Sequence, residues 1–267
     1  MKPAQKTIPW LQRFARFGYM CQGTVFILIG ILALLAAFNL GGDTENTTGA
    51  LRSLSRLPFG QFLLFAIGFG LIGYIMLMLL KTFKDVDDHG TALGGLFQRG
   101  TYLFSALVYS IICIQSFRFA LHQFSQDTYN ETTISSYLLS KPYGAMVVFI
   151  IGIGILLAGL MQFYFAMTNT HRDGFKSYEM TQKEKHFATM TGKVGFGARS
   201  ILFMMIGYFF MITAHRSDPN EARGFDDALA TLQQQPFGNV WLAIVAFGLV
   251  AYGVYAFVRA YYEQMRF

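Results

Sequence analysis

The sequence predicts an all-α integral membrane protein of six transmembrane helices, built as three tandem two-helix repeats with a pseudo-threefold axis along the membrane normal. Three observations predict it. Of the 267 residues only 13% are charged and 54% are hydrophobic, with a mean hydropathy of +0.40; an ordinary soluble domain carries about a quarter charged residues. The charges are segregated, which leaves six stretches of the roughly 20 apolar residues that a membrane-spanning helix needs. A Pro-aromatic-Gly triplet also recurs, at Pro58-Phe59-Gly60, Pro142-Tyr143-Gly144 and Pro236-Phe237-Gly238, and takes up half of the six prolines.

The chain opens with Lys2, Lys6, Arg13 and Arg16 before an apolar run, the outline of a secretory signal. Similar segments recur in mid-chain, so the first helix, near Gly18–Leu40, is expected to be retained. Ala50, Leu51, Leu54 and Leu57 then follow at helical spacing, which suits a short amphipathic segment lying along the outer membrane surface. Pro58 should open the second span, Phe59–Leu80, because proline fits the first turn of a helix, where its missing N–H costs nothing. Gly60 lets the backbone pack closely. The same order gives a third span at Thr101–Phe124, a surface segment with Ile134, Tyr137 and Leu138, and a fourth span at Tyr143–Met167 behind Pro142 and Gly144. A fifth span at Val194–Ala214 leads to Ala228, Leu229 and Leu232, then to Pro236, Gly238 and a sixth span at Phe237–Val258. Helices are the natural assignment, since a helix satisfies its own backbone hydrogen bonds in hydrocarbon. Barrel strands would be half as long and would alternate polar with apolar residues.

The repeats align closely. Gly68–Tyr74 meets Gly152–Ala158 and Ala246–Tyr252, and Lys81 falls on Arg259; Arg16–Phe26 meets Arg99–Tyr109 and Lys193–Phe203. The units span 14–84, 97–168 and 191–262. Repetition of this kind governs the architecture. A two-helix unit returns to the side it started from, so successive copies insert in the same orientation about an axis along the membrane normal. Fifteen of the 21 Lys and Arg fall on the side of the two termini, which predicts both termini in the cytoplasm. The basic pI of 9.3 then reflects membrane topology, and no nucleic-acid partner is implied. Cys21 and Cys113 differ by about nine helical positions in depth, or roughly 14 Å, and are expected to stay unpaired as small buried hydrophobes.

These residues carry a resemblance. Arg16, Gly18 and Tyr19, then Ala50, Leu51 and Leu54, then Pro58 and Gly60, then Gly68, Gly70 and Leu71 are similar to the repeat motifs of the bacterial domain-of-unknown-function family 1206. The resemblance runs from about Phe14 to Tyr262. It implies three two-helix repeats and supplies no catalytic residues. The second copy departs most: Thr101 replaces the first glycine, and Ile134-Ser135 replaces Ala-Leu.

Few residues point to chemistry. Gly68-Phe-Gly-Leu-Ile-Gly73 spells a dinucleotide fingerprint, but that motif needs a preceding strand, and here it lies within a span as small residues for helix packing. Gln22, Ser105 and Arg199 occupy one register position in the three odd helices. A threefold axis could gather them into a polar ring near the cytoplasmic side, with Arg199 donating to the other two. The competing reading has Arg199 snorkelling to the headgroups. Arg16, Arg99 and Lys193 form a second equivalent set and read as interfacial anchors. Gln115, Arg118 and His122 share one face of the third span and, with Asp127 and Glu131, make a candidate outer pocket for an anionic or zwitterionic group. Asp85–Gly90 clusters carboxylates at no metal-ligand spacing and reads as a solvated turn. His171, His186 and His215 have no partner at ligand spacing. No metal, no cofactor and no enzymatic activity are expected.

Polar groups gather at the two ends of the spans, and beyond Gln22 its face continues as Phe26, Ile29 and Ala33. That distribution fits a structural or partner-binding component of the bacterial inner membrane, in contact with membrane lipids and a possible protein partner. It also fits a channel or transporter for a small solute or ion, gated near the polar ring. A third reading is lipid or apolar-ligand binding at the outer pocket. The direction in which Gln22, Ser105 and Arg199 point discriminates among them.

Overall fold

The computed structural model describes residues 9–40, 47–56, 58–84, 90, 93–121, 131–168, 175 and 178–263. His122, Asp127, His171 and all of the Asp85–Gly90 cluster except Gly90 lie outside them, as do the side chains of Ala50, Glu131 and Ile134.

Among the described residues six helices are long and apolar enough to cross a membrane: α1 (Pro9–Ala37), α3 (Gly60–Lys84), α4 (Leu93–Ala120), α6 (Gly144–Thr168), α7 (Gln182–Arg216) and α9 (Gly238–Tyr262). Three short helices, α2 (Thr47–Ser55), α5 (Glu131–Leu139) and α8 (Phe225–Gln233), link them in pairs. Each expected span falls largely on one of these helices, although the first, to Leu40, runs past the end of α1 at Ala37 and the third, to Phe124, past the end of α4 at Ala120, where residues 122–124 lie outside the described ones; on the side of the termini the helices run further. α7 begins twelve residues before Val194, at a capping box in which Thr181 Oγ1 accepts from the Glu184 N–H while the Glu184 carboxylate accepts from the Thr181 N–H. Such a box satisfies two otherwise orphaned donors. Its 35 residues extend about 52 Å, against roughly 30 Å of hydrocarbon, so a charged helical extension stands beyond the apolar span. Polar residues end a membrane span without ending a helix.

Neighbouring helices follow one cycle. Between repeats α3 packs on α4, α6 on α7 and α9 on α1; within repeats α1 packs on α3 and α7 on α9. The contacts between repeats use equivalent positions. A Cβ on Gly30 would strike Val250 and the Ala246 carbonyl, and one on Gly207 would strike Leu156 and the Gly152 carbonyl. At the third equivalent seam the Cys113 thiol donates to the Gly68 carbonyl at 3.3 Å. This is the pseudo-threefold axis in atomic terms. The second repeat departs from it, because α4 and α6 do not pack on each other as the other two pairs do.

The Pro-aromatic-Gly triplets have a different geometry from the one their prolines suggest. Pro58, Pro142 and Pro236 sit in turns, and the helices start at Gly60, Gly144 and Gly238. The prolines therefore precede the helix and do not occupy its first turn. The aromatic residue between them is left-handed in all three copies, with φ of 63° at Phe59, 64° at Tyr143 and 60° at Phe237. Its carbonyl accepts the first helical bond, from Leu63, Val147 or Trp241. A bulky side chain there costs ~1–2 kcal/mol, yet the left-handed step turns the chain sharply enough to bring each glycine onto the end of the surface helix. A Cβ on Gly60, Gly144 or Gly238 would overlap the carbonyl oxygen of Leu54, Leu138 or Gln233. The three aromatic rings are among the most exposed in the protein, which places them at the membrane–water boundary.

Two of the short helices bury residues of their expected faces, Leu51 and Leu54 in α2 and Ala228 and Leu229 in α8; in α5 the expected Tyr137 is exposed and Leu138 half-buried. Ser135 of α5 occupies the same register position, fully buried with its Oγ unpartnered. Cys21 and Cys113 are free and buried, although depth does not separate them. Their thiols donate to the carbonyls of Ala66 and Gly68, only two residues apart on α3. Residues two apart point about 200° from each other around a helix. The body of α3 keeps the sulfurs apart, and the two thiols meet α3 at one level although their positions along their own helices differ by nine residues.

Candidate functional site

The centre of the cycle is polar and aromatic on the side where α1 begins. Gln22 is 1% exposed. Its Nε2 donates to Tyr109 Oη at 2.6 Å, with Tyr74 Oη at 3.3 Å and Tyr252 Oη at 3.4 Å. An amide nitrogen has two protons, so it serves two of these three oxygens at a time. Tyr74 and Tyr109 meet edge to face at 4.7 Å. Helices α1, α3, α4 and α9 therefore each send one group to a single point.

Arg199 comes from α7 and is 9% exposed. Its guanidinium lies over the rings of Tyr252 at 4.2 Å, Phe26 at 4.9 Å and Phe203 at 5.1 Å. Its electrostatic neighbours are Tyr252, Tyr109 and Tyr74, and its Nε is buried without a hydrogen-bond partner. Taking an ion out of water costs several kcal/mol. A desolvated cation over an aromatic face regains about 2 kcal/mol, so three faces hold the charge without neutralising it. Phe26, Ile29 and Ala33 are all buried beyond this layer and close the far half with apolar side chains.

Of the predicted ring, Gln22 and Arg199 are brought to one centre, joined through Tyr252. They do not bond to each other. Ser105 is a correction: its Oγ donates to the Thr101 carbonyl of its own helix at 2.8 Å. A serine hydroxyl is short and is satisfied by the carbonyl four residues back, and Tyr109, one turn further along α4, takes its place. Arg199 points inward and does not snorkel. Gln115 and Arg118 are half-buried near the end of α4, both engaged with neighbours, and the third member of that set, His122, is undescribed. In the set Arg16, Arg99 and Lys193, Arg99 Nε donates to the Thr82 carbonyl at 2.7 Å and so ties α4 to α3.

One cluster was not expected. Glu263, at the end of α9, is 2% exposed and accepts from Lys81 Nζ at 2.8 Å, Arg259 Nε at 2.6 Å and Tyr19 Oη at 3.0 Å. Burial pushes its carboxyl up, but the Arg259 guanidinium and the Lys81 ammonium outweigh burial and hold it down at about 2. The Arg259 guanidinium also covers the Tyr19 ring at 4.7 Å. Tyr19 meets Tyr74 edge to face at 5.3 Å, so an aromatic step links this ion cluster to the centre. The equivalence of Lys81 and Arg259 was visible in the repeat alignment. Only the carboxylate between them was unsignalled, because it lies one residue beyond the apolar span.

The triplicated geometry can be set against known proteins. The profile of the family described as Domain of Unknown Function (DUF1206) matches residues 17–85, 100–169 and 194–263, one match per two-helix unit. The chain belongs to the DUF1206 family. It is also similar to "Uncharacterized protein YxxB" of Bacillus subtilis (strain 168), 41% identical over 264 residues that cover 99% of this chain and 95% of the other. No solved structure matches the chain. Each DUF1206 match spans two membrane helices and the surface helix between them, so the centre described above forms only when all three come together.

Proposed function

We propose that this DUF1206 protein is a non-enzymatic protein of the bacterial inner membrane, with both termini in the cytoplasm. In this reading it binds an anionic group at Arg199 and controls its passage there. The observation that carries the reading is the buried guanidinium of Arg199, held by aromatic faces and tyrosine hydroxyls, with its Nε unpartnered. A charged residue inside a span is a functional hypothesis by default, and the partner that a desolvated guanidinium lacks is an anion, which it binds through paired N–H groups. The apolar layer of Phe26, Ile29 and Ala33 acts as the closed gate in this reading. The structural or partner-binding reading stands second, since it expects Gln22 and Arg199 to face lipid and both are buried.

The test is flux through purified protein in liposomes, with anion and cation probes side by side. The expected result is anion-selective flux that is lost in Arg199→Gln while the variant still folds. Flux that is unchanged in Arg199→Gln, or flux of cations alone, overturns the reading.

A further inference from the structure

The second repeat breaks the threefold pattern at positions that close the other two repeats. In the first repeat Gly70 of α3 meets Cys21 and Phe17 of α1, and in the third Gly248 of α9 meets Ala198 and Val194 of α7. The equivalent glycine of α6 is Gly154, and nothing lies within 4 Å of a Cβ placed on it. Nor does anything lie near Gly100 of α4, the counterpart of Phe17 and Val194. Thr101 replaces Gly18 and Gly195, which pack directly against Tyr74 and Tyr252, and Ala158 replaces those tyrosines. Thr101 and Ala158 are half-exposed where all four counterparts are buried. An apolar slot between α4 and α6 therefore opens sideways, where a symmetric molecule would have a helix contact.

Unsatisfied polar atoms lie buried at the foot of the helix face that lines the slot. α6 packs antiparallel on α7, with Gly152 against Gly207 and Gly159 against Phe203 and Met204. This register brings Gln162 level with Arg199. Gln162 Oε1 and Arg199 Nε are both buried and without a partner, one an acceptor and the other a donor. Gly154, Ala158 and Gln162 follow each other at every fourth residue, so the slot rises about 12 Å from Gln162 to Gly154. Neither α4 nor α6 carries an acidic residue.

We propose that this slot admits an anionic lipid sideways from the bilayer. Its acyl chain lies along Ala158 and Gly154, and a phosphodiester headgroup bearing a hydroxyl meets Arg199 and Gln162. The phosphodiester supplies the acceptor that Arg199 Nε lacks, and the hydroxyl supplies the donor that Gln162 Oε1 lacks. An acyl chain fills apolar space without asking for hydrogen bonds, which a peptide segment would. Gln162 lies toward the end of α6 on the side where α1 begins, so the lipid is drawn from that leaflet. This rests on Arg199 as an anion centre and names the source of the anion.

The experiment is native mass spectrometry of the full-length protein with equal amounts of phosphatidylglycerol and phosphatidylcholine. A separate arm measures thermal stabilisation by inorganic phosphate. Gly154→Leu fills the slot at an exposed helical position without neighbours, so the variant is expected to fold; Ala158→Phe fills it independently. The expected result is retention of phosphatidylglycerol over phosphatidylcholine, reduced about tenfold, or 1.4 kcal/mol, in both slot variants, with stabilisation by phosphate unchanged. Arg199→Gln loses both. Retention that depends on Arg199 but survives both slot variants overturns lateral entry and leaves the anion centre standing. Equal retention of the two lipids overturns headgroup recognition, and binding indifferent to Arg199 overturns both proposals.

Discussion

Replacing Glu263 by glutamine should destabilise the protein by about 3 kcal/mol at neutral pH. Glutamine keeps the shape but removes the negative charge that Lys81 and Arg259 share, both within 3 Å of the carboxylate. Two routes give similar magnitudes. The two cations hold the carboxyl down at about 2 from its ordinary 4.5, and a displacement of that size corresponds to about 3 kcal/mol of stability. Removing one partner from a buried ion cluster costs about 3–5 kcal/mol. Because the folded value is depressed, the stabilisation is complete above the ordinary carboxyl range and is lost as pH falls toward 2. Unfolding by SDS titration in mixed micelles, for the parent protein and Glu263→Gln from pH 7 to pH 3, measures both effects. The gap should be about 3 kcal/mol at pH 7 and shrink to about half or less at pH 3. A gap below about 1 kcal/mol at pH 7, or one that does not change with pH, would refute the claim that this carboxylate locks α3 to α9.

Three further outcomes follow from the packing. Gly238→Ala and Gly144→Ala should each lose folded yield in detergent, because a methyl group there overlaps the carbonyl at the end of the surface helix and overpacking costs about 1–3 kcal/mol; normal yield would contradict the turn geometry. Phe237→Gly should raise resistance to SDS unfolding by up to about 1–2 kcal/mol by relieving a left-handed aromatic residue, offset by whatever the exposed ring contributes at the interface. Gly70→Leu and Gly248→Leu should fail to accumulate as folded protein where Gly154→Leu does not, and failure of all three alike, read by size-exclusion chromatography, would mean that the second repeat is closed like the others.

Much of the architecture was legible in the sequence because membrane helices announce themselves by length and apolarity, and because the same packing surface was written three times. The register that paired Gln22 with Arg199 was readable for the same reason. What the alignment could not show was reach. Ser105 stands at the right position but is too short to leave its own helix, while Tyr109, four residues on, spans the distance to Gln22. Tyr74 and Tyr252 fall on one another in the repeat alignment without signalling a site, because a ring has no obvious polar direction until its hydroxyl is seen. The prolines misled in a specific way. Their φ preference suits a first helical turn, but the steric conflict that decides the turn lies two residues later, at the glycine. The departures Thr101 and Ala158 were visible as letters, and only the structure shows that they leave α4 and α6 apart.

The seam between α1 and α9 sets an order of events during synthesis. α1 is made well before α9, yet its Gly23 and Gly30 pack on Gly253 and Val250 of that helix, and Tyr19 and Gln22 receive Glu263 and Tyr252 from that same end. At about 5–20 residues per second, those partners arrive roughly ten to fifty seconds after α1 leaves the ribosome. Throughout that interval the Tyr19 phenol waits in the membrane on a helix with half its packing surface bare, while Tyr74 and Tyr109, made earlier, take the two protons of the Gln22 amide. Anything that cuts the chain short before the final turn of α9 leaves Tyr19 without Glu263, so that turn acts as a checkpoint for the seam between α1 and α9.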